Sequence, residues 1–84
     1  MRENLFEKLK DFVCENNDWV KREEIKLESD LREFGIDSIQ MMMMIVFIEE
    51  EFGVTMEEDV MDKGIFTTFE SVMDYVEKIE KENA

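Results

Sequence analysis

The chain contains no histidine, no proline and a single cysteine, Cys14, and it has only ten basic residues against 23 acidic ones among its 84. Without an imidazole, neither a thiol nor a serine nucleophile has its usual base, so self-sufficient acyl-transfer catalysis is not expected. One cysteine cannot form an internal disulfide, and neither a signal-peptide pattern nor a run of about 20 apolar residues is found. The expectation is therefore a reducing cytoplasm and no membrane insertion. A net charge of −13 repels nucleic-acid phosphates and anionic lipid alike, which leaves basic protein surfaces as the expected partners.

The charge is uneven. Residues 1–37 carry seven basic and 11 acidic residues, and residues 38–84 carry three and 12. The hydrophobic content of 44% is enough to fold despite this charge, and no repeat, linker or low-complexity tract divides the chain. Residues 1–84 are expected to form one domain and a monomer, with a small core: a chain this short buries only somewhat more than ~60% of its unfolded surface.

Periodicity predicts helices. Leu5, Phe6, Leu9, Phe12 and Val13 form one apolar face over about residues 3–16, ended by Asn16 and Asn17. Residues 17–37 hold Trp19, Ile25, Leu27, Leu31, Phe34 and Ile36 at no sustained period; they read as a long loop pinned to the core by apolar anchors, a length that is often functional. A second helix runs from Ser38 to Phe52 and stops at Gly53, which suits a residue of positive φ. Thr55 and Glu58 have capping-box spacing for a short third helix closed by Gly64, with Val60 and Met61 as its apolar face. Thr67 and Glu70 repeat that spacing before a last stripe of Phe69, Val72, Met73, Val76 and Ile79. The fold class expected is an all-α four-helix bundle with a long first loop and a short third helix.

The second helix is apolar nearly all round. Met41, Met44, Ile45, Ile48 and Phe52 make a complete core stripe. Ile39, Met43 and Val46 lie opposite, with Met42 and Phe47 at the margins and Gln40, Glu49 and Glu50 interspersed. An apolar cluster with an acidic border fits a protein contact surface, and methionine adapts to differently shaped partners. Burial by another helix or a second copy fits equally well, and periodicity does not separate the two.

Ser38 opens this helix, and a serine there is first of all an N-cap; Asp37 could take that part instead. The surroundings point further. Leu31, then Phe34-Gly35-Ile36-Asp37-Ser38-Ile39, then an apolar helix closing with Glu49-Glu50-Glu51-Phe52-Gly53-Val54, resembles the acyl carrier protein family, including its polyketide, peptidyl and D-alanyl relatives. The likeness extends over nearly the whole chain, to the Thr67-Thr68-Phe69 start of the last helix.

The resemblance implies that Ser38 is the attachment point of 4′-phosphopantetheine, delivered from coenzyme A by a phosphopantetheinyl transferase, with Asp37 beside the metal and phosphates of that transfer. A helix N-terminus and the freedom of Gly35 are compatible with an outward-facing phosphodiester there. The arm's thiol would carry acyl or aminoacyl groups as thioesters between a loading ligase and synthase or transferase enzymes, in fatty-acid, polyketide or nonribosomal-peptide-like biosynthesis, so that the chain itself is not an enzyme. The docking face implied comprises Ile39, Gln40, Met42, Met43, Val46, Glu49 and Glu50. Gln40 and Met43 stand where housekeeping fatty-acid carriers have acids, which favours a specialised pathway with dedicated partners. Met41, Met44, Ile48, Phe52, Ile65 and Met73 would line a core pocket for an acyl chain, or are ordinary core.

Two other classes compete. An acidic helical adaptor would use Ile39, Met43 and Val46 for protein binding and carry no prosthetic group. Metal binding is not expected, because Glu49–Glu51 and Glu57–Asp59 lack the alternating ligands and central glycine of a calcium loop. Cys14 lies off the first helix's apolar stripe and suggests no catalytic thiol.

Overall fold

The computed structural model describes residues 2–56, 60, 64 and 66–82. Within them lie three α-helices, α1 (Arg2–Asn16), α2 (Ser38–Phe52) and α3 (Phe69–Glu82), together with 3-10 turns at Arg22–Glu24 and Leu31–Phe34. Among the described residues there is no strand, only an isolated antiparallel bridge between Asp30 and Thr68. The predicted short helix after Thr55 falls mostly on residues 57–59 and 61–63, outside the described ones. Val60 is buried and Gly64 has a φ of +68°.

α1 buries Leu5, Leu9, Phe12 and Val13, and packs against both other helices. Its end is closed by side chains: the Asn16 amide donates to the Phe12 carbonyl at 2.9 Å and that of Asn17 to Val13 at 3.1 Å. The Val13 carbonyl also accepts the Asn17 backbone N–H at 2.9 Å, so the side-chain amides add a second donor at the helix end. α2 ends as expected, with Gly53 at φ +64° and its N–H bonded to the Glu49 carbonyl at 3.0 Å.

Phe69, the first residue of α3, is fully buried and meets the rings of Phe6 and Phe34 edge-on, with centroids 6.3 and 6.0 Å apart. Burying a phenylalanine contributes about 2 kcal/mol, so this aromatic cluster holds the start of α3 against α1 and the loop. The cap of α3 differs from the expected Thr67–Glu70 box. Thr68 and Ser71 form it instead: each side-chain oxygen accepts the other's backbone N–H at 3.1 Å. The Glu70 backbone N–H, which a Thr67 cap would take, donates to the Leu27 carbonyl at 2.9 Å.

The loop 17–37 is clasped to this helix start. Leu31 donates to the Thr67 carbonyl at 2.8 Å, and Phe69 to that of Ser29 at 3.3 Å. Val20, Ile25, Leu31, Phe34 and Ile36 are buried and Leu27 packs at the core's edge. Trp19 corrects the expectation of an apolar anchor: it is 62% exposed, and Val20 beside it takes the buried place. The indole instead lies against Gly35, where an added β-carbon would stand 3.2 Å from Trp19 Cζ2.

Candidate functional site

The loop delivers the chain to Ser38 through a sharp turn. Asp30 caps the Leu31–Phe34 turn by accepting the Arg32 N–H at 2.8 Å, and Gly35 closes it in the left-handed region at φ +80°. That conformation, and the close approach of Asn17 Oδ1 and Trp19 to the Gly35 backbone, leave little place for a side chain. Ile36 then drops into the core at 1% exposure, which anchors the strap two residues before the serine.

Asp37, not Ser38, is the N-cap of α2. Its carboxylate accepts the Gln40 N–H at 2.9 Å, and its own carbonyl accepts the Met41 N–H at 2.9 Å. The expectation that a serine at a helix start is itself the cap is thereby corrected: Ser38 occupies the first helical position and is exposed. Together with Arg32, Gly35, Ile36, Asp37 and Met41 it lines a shallow groove of about 370 Å3. An exposed hydroxyl relieved of capping duty, at a helix N-terminus whose amides favour anions, fits a covalently attached phosphodiester.

Arg32 is the cation of that groove. Its guanidinium meets the Asp30 carboxylate through Nε at 3.2 Å and a terminal nitrogen at 3.0 Å. The hydrogen bonds from Arg32, side chain first and backbone second, hold the Asp30 carboxyl below its usual range, and Asp30 raises Arg32 in turn. Sequence pattern alone did not single out Arg32; the one available signal was its sign, a cation six residues before the serine that opens the acidic half.

Beyond Ser38, α2 presents two kinds of surface. Ile39, Met43 and Val46, which periodicity placed opposite the core stripe, are exposed, between 44% and 70%, and Met42, placed at the margin, is exposed with them at 60%. Phe47 is half-buried against Phe12, their rings 5.4 Å apart. Glu50 is exposed, whereas Glu49 bends toward the segment after α2 and accepts the Met56 N–H at 2.9 Å. Gln40 is drawn in as well, exchanging hydrogen bonds with Asn17. Of the candidate pocket residues, Met44, Ile48 and Met73 are buried in the core and Met41 and Phe52 pack at its edge, while Ile65 lies outside the described residues. Among the described residues no group of acidic, cysteine or histidine side chains could hold a metal ion, and no helix is long and apolar enough to cross a membrane.

The chain is similar to known proteins over most of its length. Residues 7–76 match the family described as a phosphopantetheine attachment site. The acyl carrier protein of Phytoplasma mali is 33% identical over 75 residues, which cover 88% of this chain and 86% of that one. That of Trieres chinensis is 31% identical over 78 residues, covering 92% and 94%. Acyl carrier protein 2 of Pseudomonas aeruginosa is 33% identical over 60 residues, covering 70% and 73%.

Proposed function

Because the chain belongs to the acyl carrier protein family, a family of carriers rather than enzymes, we propose that Ser38 bears its 4′-phosphopantetheine and that the whole chain is one carrier domain. When bound, that group supplies a thiol on a flexible arm, on which acyl or aminoacyl groups travel as thioesters. The observation that carries the assignment to Ser38 is its position: exposed at the first residue of α2, with the cap made by Asp37, at the lip of a groove.

The chain's own residues then divide the work. Asp37 fixes the helix start that presents the hydroxyl, and as an exposed carboxylate it borders the site that a phosphopantetheinyl transferase must reach. Ile39, Met42, Met43 and Val46 offer an apolar contact for loading ligases, synthases and transferases, with Glu50 as an exposed acid beside them. Acidic steering speeds encounter with basic partner surfaces, and a tethered substrate makes weak, short-lived contacts sufficient. Met41 lines the groove and also packs against the core, so it connects the attachment point with Met44, Ile48, Phe52 and Met73, where an apolar cargo would be sheltered. The apolar character of this face favours a specialised acyl, polyketide or aminoacyl pathway in the cytoplasm.

Incubation of the unmodified protein with coenzyme A, magnesium and a promiscuous phosphopantetheinyl transferase tests the assignment. Intact mass should increase by one phosphopantetheinyl group, and Ser38→Ala should abolish the increase. A folded protein that gains no mass, or a Ser38→Ala variant that still does, overturns it.

A further inference from the structure

Attaching a phosphodiester to Ser38 places a negative charge beside the Asp37 carboxylate, on a chain whose net charge is already −13. Like charges so close repel, and the groove that receives the group has one cationic side chain in its lining, Arg32. α2 itself contains no lysine or arginine. Resting on the assignment of the arm to Ser38, we propose that Arg32 is the phosphodiester-binding residue of this carrier, leaving Asp30 to clamp the root of the arm against the groove.

Three features make Arg32 suited to that exchange. The Arg32 side chain is 75% exposed, so its pairing with Asp30 is an exposed ion pair of the kind that contributes little and is readily broken. Asp30 does not need the guanidinium: the backbone N–H of Arg32 continues to bond its Oδ1, and the cap of the Leu31–Phe34 turn survives the departure of the side chain. Guanidinium also matches a phosphate with two parallel hydrogen bonds where an ammonium offers a point charge, so arginine at this position gains orientation as well as attraction.

The test is the 31P resonance of the modified protein at low salt, recorded after intact mass has shown the phosphopantetheinyl group in place. Wild type should be displaced from Arg32→Gln, Arg32→Lys should keep part of the displacement, and the displacement should vanish near 1 M salt, where screening acts within about 3 Å. Asp30→Asn preserves a capping oxygen but frees the arginine, so it should enlarge the displacement. If the Asp30–Arg32 pair served only to hold the loop, Asp30→Asn and Arg32→Gln would move the resonance the same way. That outcome, or identical resonances for wild type and Arg32→Gln, overturns the role of Arg32 while leaving the carrier assignment standing; failure to gain mass removes both.

Discussion

The side-chain amides of Asn17 and Gln40 face one another and exchange two hydrogen bonds, Asn17 Nδ2 to Gln40 Oε1 at 2.8 Å and Gln40 Nε2 to Asn17 Oδ1 at 3.1 Å. Asn17 is the residue after α1, and Gln40 is the third of α2, two positions beyond Ser38. The pair therefore fixes the start of α2, and with it Ser38, against the end of α1. Asn17 is only 8% exposed and also serves the Val13 carbonyl, so neither partner is free to leave without stranding a polar group.

Removing either amide should destabilise the protein beyond the loss of one hydrogen bond. Asn17→Ala and Gln40→Ala are each expected to cost about 1–2 kcal/mol, with a coupling of about 1 kcal/mol in the double-mutant cycle. Urea denaturation of the four proteins measures both quantities. Strict additivity would show that the two amides do not work as a unit.

Gly35 and Gly53 provide a paired comparison. Both adopt positive φ, at +80° and +64°, but an added β-carbon meets Asn17 Oδ1 and Trp19 at 3.2 Å at the first and nothing within 4 Å at the second. Gly53→Ala should cost roughly 1–2 kcal/mol from the left-handed backbone alone. Gly35→Ala adds displacement of the Asn17 amide and of the indole, so it should cost more and shift the emission of Trp19, the sole tryptophan. Equal stability losses, or unchanged fluorescence in Gly35→Ala, would contradict the packing described.

These contacts mark where local pattern stops being informative. α1 and α2 were legible because their apolar residues recur with the helical period and because Asn16, Asn17 and Gly53 carry unambiguous end signals. The outward set of α2 was legible for the same reason: a complete core stripe left Ile39, Met43 and Val46 with no inward direction. The loop was legible in its buried anchors Ile25, Leu31, Phe34 and Ile36 but not in its path, because Leu31 bonds to Thr67 and Ser29 to Phe69, more than 30 residues away in sequence. Trp19 was misread since hydrophobicity favours burial in general, whereas its neighbour Val20 filled the available place. Arg32 and Asn17 matter to the site through partners that no spacing rule connects.

The two sides of α2 should respond oppositely to substitution. Met43→Glu and Val46→Asp change exposed side chains and should leave stability within about 0.5 kcal/mol. Phe47→Ala removes a half-buried ring from Phe12 and should cost about 2 kcal/mol. With the modified protein as substrate, Met43→Glu and Val46→Asp should raise a partner enzyme's KM at least several-fold, whereas the exposed but distant Glu3→Gln should not. Normal turnover by both α2 variants would remove this face from partner recognition.

Self-repulsion among 23 carboxylates should be visible as a salt dependence. Raising ionic strength from 0.01 M to 0.15 M shortens the screening length from about 30 to 8 Å, so the melting temperature should rise. The cross-helix pair of Lys8 with Glu51, 3.7 Å apart, opposes this only weakly because both ends are exposed. A melting temperature that falls with salt would mean that ion pairs outweigh repulsion.

Arg22 gives the same question a pH axis. Its guanidinium, carried by the loop, reaches back to the carboxylates of Glu7 and Asp11 on α1 and to the Glu7 carbonyl at 3.2 Å. The hydrogen bond from Arg22 first, and that from Lys10 second, hold the Glu7 carboxyl below its ordinary value of 4.5. A carboxyl with a lower pKa in the folded than in the unfolded chain stabilises the fold fully above the unfolded value and ceases to do so as pH falls through the folded one. Arg22→Gln should therefore lower the melting temperature at pH 7 by a margin that stays level down to about pH 5 and narrows below the ordinary value of 4.5. General protonation of the acidic surface shifts both proteins together in that range, so the difference between them, not either curve alone, is the quantity to follow by thermal denaturation. A margin that widens on acidification would show that Arg22 acts through something other than the ionised carboxylates of α1.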